Sequence, residues 1–192
     1  MVDVGAYVGV YSLWAAKVVG SDGFVVAFEP NPLAFAWLVR NIELNGAKNV
    51  KALPYALGDG IAWITLYAAR ENPGASSLVP DHVATAGCSV ARAFKVPVVT
   101  LDYVVESSES LVGRRIEGVD LVKIDVEGYE MRVLEGFRNS LSRGLAERFA
   151  IEVHKDQVST GDVIAFLEGY GYRLDSVVSF GRVKDVVYMR LA

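Results

Sequence analysis

A chain of 192 residues that is 52% hydrophobic, with a mean hydropathy of +0.30, can bury one substantial core. It is richer in apolar side chains than most globular domains, as expected where parallel strands are covered on both faces. A net charge of −4 and a pI near 5.2 argue against a general nucleic-acid binder, and the lone Cys88 excludes an internal disulfide or a multi-cysteine metal site.

No apolar run reaches the roughly 18 residues of a membrane helix, and no signal-peptide pattern opens the chain, so the expectation is a cytoplasmic protein without a membrane span. Met1 to Ser12 reads as a strand end, a tight turn and a helix start. Asp3 closes a short apolar strand, Gly5 turns the backbone, and Gly9 lets the next helix pack closely on the sheet. The free N–H groups of such a helix start favour an anionic group. Because the turn comes at Gly5, the first strand has almost no body, and the chain is expected to be short at its N-terminus relative to a complete domain.

Val10 to Val19 is a helix stopped by Gly20-Ser21-Asp22-Gly23, and Phe24 to Phe28 is a continuous apolar run of the kind found in buried parallel strands. Glu29-Pro30-Asn31-Pro32 ends that strand, and its prolines start a helix over Leu33 to Asn45. Val50 to Leu57 is a third strand, followed by Gly58-Asp59-Gly60. The resulting βαβαβ order, with right-handed crossovers, puts the strand ends on one edge of a sheet.

The rhythm changes over about 61–101. Ile61 to Tyr67 and Val96 to Leu101 read as strands, Asn72 to Ser77 as loop, and Val79 to Arg92 has no clear period. This is read as an insertion into one domain spanning 1–192, either a cover over the ligand edge or an ordinary surface excursion. The α/β alternation then resumes with a helix from Asp102 to Leu111 capped by Asp102, a strand from Val119 to Asp125 and a helix from Tyr129 to Leu141. A strand from Phe149 to His154 and a helix from Thr160 to Tyr170 follow, and a hairpin of Tyr172 to Phe180 with Val183 to Leu191 turns across Gly181-Arg182. The fold class is therefore α/β, a doubly wound, mostly parallel sheet closed by an antiparallel hairpin.

Ligands of such sheets bind beyond the carboxyl ends of the strands. Five of those ends carry acids: Asp3, Glu29, Asp59, Asp125, and Glu152 with His154. Each alone reads equally well as a cap or a solvated turn acid; their convergence on one edge points to a site. Glu29 lies about 20 residues beyond Gly9, where a carboxylate accepts ribose hydroxyls. The middle glycine through which a backbone approaches a pyrophosphate is missing, so an adenosyl ligand without phosphates fits better than NAD or FAD.

Asp3-Val4-Gly5-Ala6-Tyr7-Val8-Gly9, Phe28-Glu29-Pro30-Asn31-Pro32, Ala56-Leu57-Gly58-Asp59, Thr100-Leu101-Asp102, Lys123-Ile124-Asp125-Val126-Glu127-Gly128 and Ile151-Glu152-Val153-His154, in this order, resemble the FkbM family of S-adenosylmethionine-dependent methyltransferases. The resemblance covers nearly the whole chain. It implies a seven-stranded class I methyltransferase sheet and methyl transfer, commonly to a hydroxyl of a sugar, polyketide or similar natural product. It also implies that Asp3, Gly5 and Gly9 line the methionine end of the cofactor, Glu29 the ribose and Asp59 the adenine.

In-line methyl transfer gains most from holding the reactants in near-attack geometry, and an alcohol must also lose its proton. Asp125 and His154 are the candidates for base or orienter; the alternative for His154 is a structural histidine. Asp125, Glu127, Glu130 and His154 could together hold a divalent metal, although the helix dipole accounts for Glu127 and Glu130 without one. The equal spacing of Lys123/Asp125 and Glu152/His154 on adjacent strands predicts a Lys123–Glu152 ion pair beneath an Asp125/His154 pair. The partner expected is a small-molecule or glycan acceptor, with no nucleic acid. Two rivals stand beside the enzyme reading: a non-catalytic or partner-dependent adenosyl-binding module, and an NAD-dependent oxidoreductase.

Overall fold

The computed structural model describes residues 1–181 and 183–192. The first half contains β1 (Val2–Val4), α1 (Val10–Val19), β2 (Val25–Phe28), α2 (Pro32–Leu44), β3 (Val50–Leu53), β4 (Ala56–Leu57), β5 (Ala62–Ala69), α3 (Pro80–Thr85) and β6 (Val90–Val99). The second half contains α4 (Leu101–Glu106), α5 (Ser108–Val112), β7 (Val122–Ile124), α6 (Glu130–Glu135), α7 (Arg138–Ser142), β8 (Arg148–His154), α8 (Thr160–Glu168), β9 (Tyr172–Phe180) and β10 (Lys184–Leu191).

Seven strands form one sheet in the order β3-β2-β1-β7-β8-β10-β9. The short β1 is central, running parallel to both β2 and β7, and β7 runs parallel to β8. The hairpin closes the sheet, with β10 antiparallel to both β8 and β9. Of the expected hairpin turn Gly181-Arg182, Arg182 lies outside the described residues. Burial on both faces explains the unbroken apolar runs: every residue of β2 is buried. The main core joins Val122, Ile124, Phe149 and Ile151 of the strands to Leu134, Phe137 and Leu141 on one side, with Val163 and Leu167 of α8 completing it. On α1 only Ser12, Ala15 and Ala16 are buried, while Val10, Tyr11, Trp14 and Val18 are exposed, so its small residues set the approach to the sheet.

Four expectations change. The strand expected over 50–57 breaks at Pro54-Tyr55, because proline offers no ladder N–H. Ala56–Leu57 then pairs with Val98–Val99 in a second sheet of order β4-β6-β5. The helix expected from Asp102 divides into α4 and α5, and its cap is Thr100, whose Oγ accepts the Tyr103 N–H at 3.0 Å. Asp102 instead accepts the N–H groups of Asn139 and Ser140, both at 2.9 Å, and so caps α7 across the fold. That capping belongs to the fourth change, a break in the helix expected over 129–141. Gly136 lies so close to Gly58 that a Cβ there would fall 1.9 Å from the Gly58 carbonyl oxygen, and α6 ends at that contact. Among the described residues, no helix is long and apolar enough to cross a membrane.

Candidate active site

A cavity of about 330 Å³ opens beyond the carboxyl ends of β1, β2, β7 and β8. Gly5, Tyr7 and Glu29 line one side, Asp125, Glu127 and Glu152 the other, and Asn72 to Gly74 with Ser76 and Leu78 form part of the wall. A larger cleft of about 1020 Å³ lies by Arg115 to Asp120 and Arg143 to Leu145, at the amino ends of β7 and β8. None of the expected site acids lines it, and the ligand edge of a doubly wound sheet is the other one.

Asp3 is fully buried beneath the glycine turn and does not line the cavity. Its Oδ2 accepts the Ser12 hydroxyl at 2.5 Å, and its Oδ1 lies 3.2 Å from Lys123 Nζ. Lys123 also donates to the Gly5 carbonyl at 2.8 Å and lies 3.6 Å from Asp125 Oδ2. Burial works against the ammonium, but the Asp3 and Asp125 carboxylates outweigh it and hold the Lys123 pKa above its ordinary value. Gly5 reaches the cavity, whereas Gly9 sits outside it against Leu38 of α2.

Glu29 follows β2 directly and, unlike a solvated turn acid, is buried. It is 7% exposed. Its Oε2 accepts the Tyr7 N–H at 2.8 Å and its Oε1 the Asn31 N–H at 2.7 Å, pinning the glycine turn to the end of β2. Burial pushes its carboxyl up to about 7, against the pull of those two N–H groups and of Lys123. An acid whose pKa is raised on folding stabilises the fold below its unfolded pKa, and that contribution disappears as pH rises through the folded value. Glu29 should therefore cost about 3 kcal/mol of stability between pH 4.5 and pH 7. Chemical unfolding across that range should show a loss about 3 kcal/mol smaller in Glu29→Gln than in the wild type, the remainder coming from groups such as Asp125; an equal loss in the two would refute the assignment.

Asp59 follows β4, in the smaller sheet, and pairs with Arg132 at 2.6 Å; Ala56 and Leu57 line the cavity, and Asp59 does not. Asp125 does line it, with Oδ1 buried and unpartnered. Burial raises its carboxyl to about 6, reinforced by Glu152 and Glu127 and opposed by Lys123.

The expected Lys123–Glu152 pair is not formed. β7 and β8 are paired with Lys123 opposite Ala150 and Ile124 opposite Ile151, which slips the register by two residues and brings Asp125 level with Glu152. Glu152 pairs with Lys184 of β10 instead. Face parity survives a slip of two, so the side chains still point to the expected faces.

His154 is buried behind the cavity wall. Its Nδ1 lies 2.8 Å from Glu130 Oε1 and its Nε2 3.2 Å from Glu127 Oε2. Burial disfavours the imidazolium, but the Glu130 bond and the surrounding acids overcome this and hold its pKa at about 9. Sequence reasoning missed His82, which comes from α3 in the stretch that showed no period. Its Nε2 lies 2.7 Å from Glu127 Oε2 and its Nδ1 2.9 Å from Asp156 Oδ2. The available signal was local: Pro80 at the first helical position placed a helix start just before it. Glu127 itself has left-handed backbone, with φ 52°, and its carbonyl accepts the Ser77 hydroxyl, so residues 77–82 are fastened to the end of β7. Of the metal candidates, Glu127 and Glu130 contact His154 directly, and Asp125 clusters with His154 and Glu152 while also lying 3.6 Å from Lys123 Nζ.

A mostly parallel seven-stranded sheet with an antiparallel edge hairpin, and a cavity at the glycine turn after its central strand, defines a class I methyltransferase-like fold. Residues 3–174 match the methyltransferase FkbM domain, and the chain belongs to that family. It is 32% identical over 157 residues to methyltransferase sdnD of Sordaria araneosa, covering 71% of this chain and 59% of that protein. It is 29% identical to the 31-O-demethyl-FK506 methyltransferase FkbM of Streptomyces tacrolimicus, covering 88% of this chain and 71% of the relative. The chain thus spans about three fifths of the length of the first of these relatives. Its fold resembles the crystal structure of methyltransferase FkbM from Methylobacillus flagellatus KT, with a TM-score of 0.61 at 19% identity over 98% of this chain and 42% of that one.

Proposed function

We propose that this chain is an S-adenosylmethionine-dependent methyltransferase acting on a hydroxyl of a sugar or natural-product-like small molecule. One observation carries the reading: a single cavity joins the glycine turn and Glu29 to the carboxylates at the ends of β7 and β8, beside residues 72–78. The turn lacks a phosphate cradle, and Glu29 offers a buried carboxylate, which suits an adenosyl group bearing a sulfonium. When bound, S-adenosylmethionine supplies an electrophilic methyl group.

The protein's own share is positioning. Glu29 receives the ribose hydroxyls, Gly5 contacts the methionine end, and Asp3 and Gly9 shape the turn from behind. The adenine lies toward Ala56 and Leu57, with Asp59 reaching it when its Arg132 pair opens. Asp125, which lines the cavity, takes the proton of the acceptor hydroxyl, and His154 acts through Glu127 as a positioning residue. The segment of about 61–101 supplies the acceptor-side cover. The acceptor named for the Streptomyces relative, a demethylated oxygen of a natural product, supports an oxygen nucleophile.

The test is transfer of methyl label from S-adenosylmethionine across a panel of sugars and hydroxylated natural products. Label should appear on oxygen, and Asp125→Asn should lower turnover by roughly 10²–10⁴-fold while cofactor affinity holds. Cofactor binding with no transfer to any acceptor would favour the binding-module reading instead.

A further inference from the structure

We propose that His82, Glu127 and His154 form a binding site for a divalent first-row transition-metal ion in the wall of the cavity. This inference does not depend on the cavity holding an adenosyl cofactor.

The chain has only two histidines, and the fold brings them together from α3 and β8. Their rings meet edge to face with centroids 4.9 Å apart, and both residues are 3% exposed. Both Nε2 atoms converge on one oxygen, Glu127 Oε2, at 2.7 Å from His82 and 3.2 Å from His154. With metal–nitrogen and metal–oxygen bonds of about 2.1 Å, neighbouring ligand atoms stand roughly 3.0–3.4 Å apart. All three ligand atoms lie within 4.8 Å of one another, and admitting an ion requires Glu127 Oε2 to draw back from the two Nε2 atoms by less than about 1 Å.

The opposite side of each ring points the same way. His82 Nδ1 is held by Asp156 at 2.9 Å and His154 Nδ1 by Glu130 at 2.8 Å. A carboxylate on Nδ1 keeps a proton on that nitrogen and makes Nε2 the coordinating atom, a bound metal displacing the proton that Nε2 shares with Glu127, as in carboxylate–histidine–metal triads. Glu130 is fully buried, accepts the Gly128 N–H at 3.0 Å as well, and keeps Oε2 buried without a partner. Glu127 is aimed by a left-handed backbone, a conformation that persists only where the surroundings over-determine it.

Asp125, Glu152 and His154 form a second cluster of metal-ligating atoms that shares His154. There Glu152 is engaged by Lys184 and Asp125 by Lys123, so two cations already hold its carboxylates. Among the described residues, the His82 cluster has no lysine or arginine in contact with its three ligand groups. Two imidazoles and one carboxylate favour zinc, iron, cobalt or nickel over magnesium or calcium. Glu127 also lines the cavity, so the ion stands one side chain away from the proposed acceptor.

The experiment uses untagged, chelator-treated protein titrated with Zn(II), Co(II) and Mg(II), followed by calorimetry and by the visible bands of Co(II). Zinc and cobalt should bind with one-to-one stoichiometry and magnesium at least a hundredfold more weakly. His82→Ala should weaken zinc at least a hundredfold, Glu130→Gln about 10–100-fold, and Glu152→Gln should leave it within a few-fold. With two histidines, imidazole nitrogen resonances report on each ring, and zinc should move Nε2 of both. Should His82→Ala fail to fold, those resonances decide the matter in the wild type. Folded wild type that takes up neither ion would overturn the proposal, leaving a metal-free histidine–carboxylate network. Zinc that moves only the His154 resonances, or that binds folded His82→Ala unchanged, would overturn it by placing the ion with Asp125 and Glu152.

Discussion

Replacing Lys123 by methionine lowers the unfolding free energy by about 3–5 kcal/mol, the cost of leaving a buried charge without its partner. The ammonium is the counter-ion of Asp3, which is fully buried, and it also holds the Gly5 carbonyl. Methionine fills the volume but leaves Asp3 Oδ1 facing an apolar chain. The measurement is urea unfolding, read as a fall in midpoint at constant slope. The double variant with Asp3→Asn separates this account from simple loss of packing. Removing the buried charge should recover a substantial part of the loss, so the two changes are strongly non-additive. Additive effects would mean that Asp3 and Lys123 are not coupled and that the lysine serves only as filler.

Gly5→Ala is the second large effect. A Cβ at Gly5 would fall 1.8 Å from the Asp125 carbonyl oxygen, and the residue holds φ +76°, so the methyl group strains its own backbone and forces β1 and β7 apart at their ends. Those ends carry the turn, Lys123 and Asp125 together, which makes local relief impossible without displacing the cavity wall. The variant should lose several kcal/mol of stability, among the largest effects of single substitutions, and any folded fraction should bind cofactor at least a hundredfold more weakly. Gly46→Ala is the control, with a similar φ of +59° and open space around it. It should cost only about 1–2 kcal/mol. If the two variants lose equally, conformation alone is at work and the contact with Asp125 carries nothing.

Much of this architecture was readable because its causes are local. Gly5, the run from Val25 to Phe28 and the prolines after Glu29 each act within a few residues, so the turn, the buried strand and the following helix could be placed directly. The family resemblance reached the same sheet through the segment from Lys123 to Gly128. Where the reading failed, the cause lay elsewhere in the chain. Asp102 looks like a cap for its own helix, and only the fold shows that α7 needs it more. Lys123 was paired by counting along two strands, but strand register is set by side-chain packing across the whole sheet, and the true partner, Asp3, comes from the central strand.

Val50 to Leu57 reads as one strand by hydrophobicity, although Pro54 and the edge of a second sheet divide it. His82 is the clearest case. Pro80 beside it marks a helix start but not a role for the histidine, because its partners Glu127, His154 and Asp156 lie in later elements and the short helix carrying it is too brief to show a period. The acids at the strand ends stand out as a group, yet their division into support and lining is invisible in the sequence: Asp3 holds the turn from beneath, whereas Glu29, Asp125 and Glu152 line the cavity.

Calorimetric titration of the folded, monodisperse protein with S-adenosylmethionine and S-adenosylhomocysteine tests the central claim most directly. The account predicts binding of both, no measurable binding of NAD, and an affinity at least tenfold lower in Glu29→Ala, since each charge-assisted hydrogen bond lost is worth roughly 1.5–3 kcal/mol. Absence of binding to either adenosyl compound, or full affinity in Glu29→Ala, would contradict it.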